Sequence, residues 1–161
     1  MKNNYSKILN IIVSVGIILT LIMLAGLPFI LGALSKSASI NIQSKYITVM
    51  TVIIYICATP YVIALFNLKK LCSHITNKNP FSESIPKLIN NIAYCSFSEV
   101  ILFNLMNIIF YFIFNIYFHA LTILPCVIVS FLSLAIGVFA LVSSKLFEMT
   151  IDIKDENDRT I

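Results

Sequence analysis

The sequence predicts an all-α, polytopic membrane protein of four transmembrane helices with both termini in the cytosol, and three observations carry that prediction. The 161 residues are 59% hydrophobic and 11% charged, with a mean hydropathy of +0.96, against roughly 25% charge in a soluble domain. The charges are also segregated: no Asp, Glu, Lys or Arg occurs from Ile8 to Ser35, from Tyr46 to Leu68 or from Val100 to Ser144. A bilayer crossing takes about 20 apolar residues, so the first two stretches hold one helix each and the third holds two. Finally, Lys2, Lys7, Lys69, Lys70, Lys78, Lys87, Lys145, Lys154 and Arg159 fall on one side of such a topology, and only Lys36 and Lys45 on the other. Nine against two places the nine in the cytosol.

Span one, near Ile8 to Leu31, follows Lys2 and Lys7 and is far longer than the 7 to 15 residues of a secretory signal core, so it is expected to remain as an uncleaved first helix. Pro28 should bend its outer end. Span two, near Tyr46 to Leu68, places Thr48, Thr51, Tyr55 and Thr59 on one face, and Pro60 should free the Ile56 carbonyl. A cytosolic loop, 69–91, leads to span three, near Ile92 to Ile116. A tight uncharged hairpin around Phe118-His119-Ala120 joins it to span four, near Ile123 to Leu146, with Pro125 in the first turn and Ser133 and Gly137 forming a small-xxx-small contact. An acidic cytosolic tail, 147–161, follows. Residues 1–161 thus form one four-span membrane domain, expected as a compact bundle with no room for a separate catalytic domain.

Inside the loop, Asn79-Pro80 breaks the helix that leaves span two, Ser82 or Ser84 can cap the next one, and Pro86 is tolerated in its opening turn. Ile85, Leu88, Ile89 and Ile92 recur at i, i+3, i+4 and i+7, which predicts an interfacial elbow lying on the lipid surface before span three. The tail holds five of the seven acids. They need water or a basic partner, either Lys69, Lys70, Lys78 and Lys87 on the same face or another protein.

Glu99 is the one formal charge within a span, about two turns from the cytosolic end of span three. It should snorkel, take a proton or pair with Lys87, Lys69 or Lys70. Asn104, Asn107, Tyr111 and Asn115 line another face of the same helix, rotated about 140° from Glu99 at 100° per residue, and should meet the bundle or a second subunit. These five residues form a possible intramembrane polar site.

Chemistry of other kinds is missing from the sequence. His74 and His119 fall on opposite sides, the four cysteines form no exposed pair, and there is no metal-chelating cluster, dinucleotide glycine pattern, phosphate loop or serine elbow. No cofactor, catalytic residue or direct nucleic-acid contact is expected. The basic residues are explained by anionic lipid.

Two polar motifs carry a resemblance. Asn79-Pro80-Phe81-Ser82 with Lys87 and Ile92-Ala93-Tyr94-Cys95, and the closing Ile151-Asp152-Ile153-Lys154-Asp155-Glu156-Asn157-Asp158 before Thr160-Ile161, make the chain resemble the domain of unknown function 2975 family of small bacterial four-helix membrane proteins. Arg159 stands where that family often has leucine. The resemblance implies a genomic context, beside a small Cro/C1-like helix-turn-helix regulator, and no reaction. It implies a regulatory or adaptor membrane protein that contacts such a regulator through Phe81, Ser82, Lys87, Asp152, Asp155, Glu156, Asn157 and Asp158. The alternatives are an immunity or envelope-stress protein against membrane-active peptides and a small transporter or channel component using Glu99. A homo-oligomer is compatible with each.

Overall fold

The structure is a computed structural model that describes residues 2–37, 44–76, 82–114 and 120–159. It contains α1 (Lys2–Ser37), α2 (Ser44–Thr76), α3 (Ser84–Phe114) and α4 (Ala120–Arg159), with no strand among the described residues. Each carries a stretch long and apolar enough to cross a membrane: Lys7–Ala33, Ile47–Ile75, Ser84–Phe112 and Ile123–Asn157. Hydrocarbon offers the backbone no hydrogen-bond partner, so these runs satisfy their own amides as helices.

The helices stand in a row. Among the described residues, α1 packs on α2, α2 on α3 and α3 on α4, and no other pair brings its α-carbons within 8 Å. The expected compact bundle is therefore an open, sequential array. Apolar faces that a closed bundle would cover are left outward, including Ile12, Ile22 and Phe29 on α1 and Phe131 and Phe139 on α4. Lipid solvates such faces as well as another helix would, so nothing forces closure.

Neighbours run antiparallel. Val13 and Ile17 of α1 pack on Cys72, Leu65 and Leu68 of α2, while the Tyr55 hydroxyl of α2 donates to the Leu24 carbonyl of α1 at 2.9 Å. Leu71 of α2 packs against a cluster formed by Ile85, Ile89 and Ala93 of α3 with Ala140 of α4. The Ser144 hydroxyl of α4 donates to the Pro86 carbonyl of α3 at 2.8 Å. These pairings bring Lys69, Lys70, Lys87 and Lys145, all exposed, to one level at one end of the array, with exposed Lys7 about two turns beyond Val13. Lys36 and Lys45 belong to the other end.

The helices expected inside the loop 69–91 are present, α2 running on to Thr76 and α3 beginning at Ser84, with 77–83 between them. Three other local expectations change. The interfacial elbow is instead the first two turns of α3, where Ile85 is 1% and Ile89 7% exposed; the apolar stripe that predicted lipid contact covers α2 and α4. Ser82 starts this helix, its carbonyl accepting from the Ile85 amide at 2.9 Å and its hydroxyl lying 3.4 Å from the Ser84 amide. The tail is also helical, continuing α4 without a break to Arg159. Pro125 lies beyond the first turn of α4, which opens at Ala120. The hairpin at 118–119 lies outside the described residues.

Because Ile85 is enclosed by three helices, Ile85→Ala should lower the stability of the detergent-solubilised protein by about 2 kcal/mol or more. Ile101→Ala, at a residue 62% exposed, should leave it within about 0.5 kcal/mol. Reversible unfolding in mixed micelles measures both.

Candidate functional site

The α3–α4 seam is built from polar side chains. Asn104 Nδ2 donates to Ser130 Oγ at 2.9 Å and to the Val100 carbonyl at 2.7 Å. The Cys126 thiol donates to Asn104 Oδ1 at 3.3 Å, and Asn107 Nδ2 points at the same sulfur at 3.7 Å while donating to the Phe103 carbonyl at 2.8 Å. Asn107, Cys126, Asn104 and Ser130 thus form a relay that ties the halves of the two helices farther from Lys87 and Lys145. Cys126 and Ser130 continue the stripe of Ser133 and Gly137 at i, i+4, i+7 and i+11, and that spacing is the sequence signal that marks them. Tyr111 stacks edge-on to Phe112, ring centroids 5.4 Å apart; Asn115 lies outside the described residues.

Further along the seam, Gly137 is buried against the Phe97 ring. A Cβ there would sit 2.9 Å from Phe97 Cε1 and 3.0 Å from Cζ. The small-residue spacing of Ser133 and Gly137 announced a close approach, and Phe97 is what fills it. The threonine and tyrosine face of α2 does not meet the asparagines: Tyr55 reaches α1, and Thr51 and Thr59 bond the Ile47 and Tyr55 carbonyls of their own helix.

Glu99 takes no part in the Asn104–Asn107 relay. It lines a groove of about 240 Å³ between α2, α3 and α4, together with Pro60, Tyr61, Leu65, Ser133 and Ile136. Its Oε2 is buried with no hydrogen-bond partner. The expected ion pairs are not formed, and the array shows why. Lys87 lies twelve residues back on the same helix, about 18 Å along the axis, and Lys69 and Lys70 share its level. Glu99 is therefore about three turns from the lysine belt, deeper than a shallow snorkelling position.

The residues assigned to partner contact divide in two. Ser82 shares a 2.7 Å hydrogen bond with Ser84, whose hydroxyl lies 3.4 Å from His74 Nε2 on α2, and Lys87 is exposed one turn on. Phe81 lies outside the described residues. Asp152, Asp155, Glu156 and Asn157 are exposed on the extension of α4; Asp158 belongs to the same helix. Glu148 pairs with Lys145 at 2.9 Å, an exposed contact of little energetic weight. Gly137, Ala140, Ser144 and Ile151 are the buried side of α4, and Glu148, Asp152, Asp155 and Glu156 recur at i, i+4, i+7 and i+8 on the adjoining flank. The Ser144–Pro86 bond sets the start of this extension beside the first turn of α3.

Comparison with known proteins completes the description. The model of a family described as "Protein of unknown function (DUF2975)" matches residues 31–161. The chain belongs to that family. As a DUF2975 protein it is similar to "Uncharacterized membrane protein YoaS" of Bacillus subtilis (strain 168), with 34% identity over 108 residues, 67% of this chain and 68% of the relative. No solved structure matches. The DUF2975 match takes in α2, α3 and α4 entire, and with them the polar seam, the groove and the acidic extension. This DUF2975 member is a multi-pass membrane protein by its four spans and its membrane-protein relative.

Two measurements test the seam. Asn104→Ala and Ser130→Ala should couple by about 0.6 kcal/mol, with an upper bound of about 1.7, in a double-mutant cycle of micellar unfolding. Gly137→Ala should cost about 1 to 3 kcal/mol by overpacking, with part of the loss recovered when Phe97→Leu is added.

Proposed function

We propose that this protein is a non-enzymatic regulatory or adaptor membrane protein that holds a basic, cytosolic helix-turn-helix regulator at the membrane surface. The observation that carries the reading is the shape of α4. Fourteen residues beyond Lys145 remain helical, about 21 Å of stiff rod. One flank of the rod presents Glu148, Asp152, Asp155 and Glu156 to water. A rigid helix holds a charge pattern in one register, and complementary charge steers association and sets orientation. A basic DNA-binding protein meets that pattern with opposite charge, and capture there would compete with DNA for the same basic surface.

The orientation that this reading needs is the one with both termini inside. It is supported by the lysine belt of Lys7, Lys69, Lys70, Lys87 and Lys145, which the antiparallel array gathers at the end from which the acidic rod projects. Contact with Ser82 and Lys87 follows from the same geometry, since α3 begins beside the base of the rod.

Crosslinking in cells followed by mass spectrometry of detergent-extracted complexes tests the partner. A helix-turn-helix protein should be recovered with the full chain. The combined variant Asp152→Lys, Asp155→Lys and Glu156→Lys should reduce that recovery about tenfold or more, the loss expected when several interface charges are reversed. Undiminished recovery with this variant would remove the acidic flank as the contact. For topology, a cysteine introduced by Glu156→Cys should react with a membrane-impermeant maleimide only after the cells are permeabilised.

A further inference from the structure

We propose that the groove at Glu99 is a binding site for a small lipophilic amine, whose ammonium donates hydrogen bonds to the Glu99 carboxylate while its apolar body covers the groove walls. The walls are nearly all hydrocarbon: Pro60, Tyr61 and Leu65 from α2, Ile92 from α3 and Ile136 from α4. Into this setting α3 brings one carboxyl group whose Oε2 is removed from solvent and meets no donor. None of the polar groups along the groove, the Tyr61, Ser96 and Ser133 hydroxyls and the Cys95 thiol, hydrogen-bonds Oε2. The Ser96 hydroxyl donates to the Ile92 carbonyl at 3.0 Å on its own helix. A buried acceptor without a partner carries its full desolvation cost, so a ligand that supplies the missing donors recovers that free energy on binding.

The surroundings narrow the class of that ligand. A hard metal ion takes six or more oxygen ligands or an octahedral set, whereas the groove supplies a single carboxylate. A second copy of the chain brings no cation to this depth, because its spans contain no Lys or Arg from Ile8 to Ser35, from Tyr46 to Leu68 or from Val100 to Ser144. The amine of a phospholipid headgroup stays at the interface, about three turns above Glu99 at the level of the lysine belt. What remains is a cation that partitions into hydrocarbon and has a body compact enough for about 240 Å³. Such a molecule reaches the groove sideways from the bilayer, past Tyr61, which is 50% exposed. Pro60 contributes to this opening in a second way. It lines the groove on one side of α2 and a further cleft with Ile56 and Cys95 on the other, so the wall of the site is a helix segment that lacks one backbone hydrogen bond.

The site is independent of the cytosolic docking proposed above and stands or falls by direct binding. The full chain in lipid nanodiscs is titrated with tritiated 1-aminoadamantane, with empty nanodiscs as background and 1-adamantanol, a neutral molecule with the same cage, as competitor. Saturable binding above background is expected, weakened about tenfold or more by Glu99→Gln, consistent with loss of a hydrogen bond to a charged group. Leu65→Trp, which fills the groove from α2 and leaves Glu99 in place, should also abolish it, and 1-adamantanol should compete weakly. Glu99→Gln removes an unpaired carboxylate and should melt no lower than the parent, so loss of binding is separable from loss of fold. Binding no greater than in empty nanodiscs, binding unchanged in Glu99→Gln, or equal competition by 1-adamantanol would each overturn the proposal.

Discussion

Hydrocarbon solvates isoleucine on the outside of this protein as well as a neighbouring helix does on the inside, and every feature of the array follows from that constraint. Apolar area alone gives the helices no reason to associate. They meet where a polar group needs a partner or where a small residue lets another side chain come close. The α3–α4 seam has both, with Asn104, Asn107, Cys126 and Ser130 at one end, Phe97 over Gly137 in the middle and Ser144 on the Pro86 carbonyl at the other. The α1–α2 seam rests on the Tyr55 hydroxyl and a cluster around Cys72, which is 2% exposed. Cys72 is thus a packing residue between helices rather than a loop thiol.

An open row has consequences that a closed bundle would lack. Helix α3 is held on both sides, and the cleft where α2 and α4 flank it remains unfilled. Glu99 stands in that cleft because it continues the face of Ile85, Ile89 and Ile92, two turns beyond Ile92 along α3. The same geometry separates it from Lys69, Lys70 and Lys87, which lie about three turns away along the axis. The carboxylate and the acidic rod therefore occupy separate parts of one molecule, one in the hydrocarbon and the other beyond the lysine belt. Helix α4 connects them: Ser133 and Ile136 border the cleft, and the acids from Glu148 onward follow on the same continuous helix.

The continuity of α4 also changes what the closing residues can do. Read as a tail, Glu148 to Asp158 is a run of acids that needs only water. As a helix with Ile151 buried and Asp152, Asp155 and Glu156 exposed, it is a patterned surface with a defined direction. The start of α3 is likewise tied to α2 through Ser82, Ser84 and His74. The two polar motifs that suggested the family thereby lie at the same end of the array.

The amino-acid sequence by itself determined the number of spans, their approximate centres, the unequal distribution of charge and the family. These properties are sums over local windows: the cost of moving about 20 residues into hydrocarbon depends on which residues they are and hardly on what they touch. It also marked Glu99, the asparagine face of α3 and the glycine of α4 as positions with something to satisfy. Only the tertiary structure decided what satisfies them. The i, i+3, i+4, i+7 stripe from Ile85 to Ile92 has the same period whether it lies on lipid or between helices, so burial against Leu71 and Ala140 was not legible in it. The row, the partners of Asn104, the isolation of Glu99 and the groove beside it depend on which faces of different helices meet, and no single helix encodes that choice.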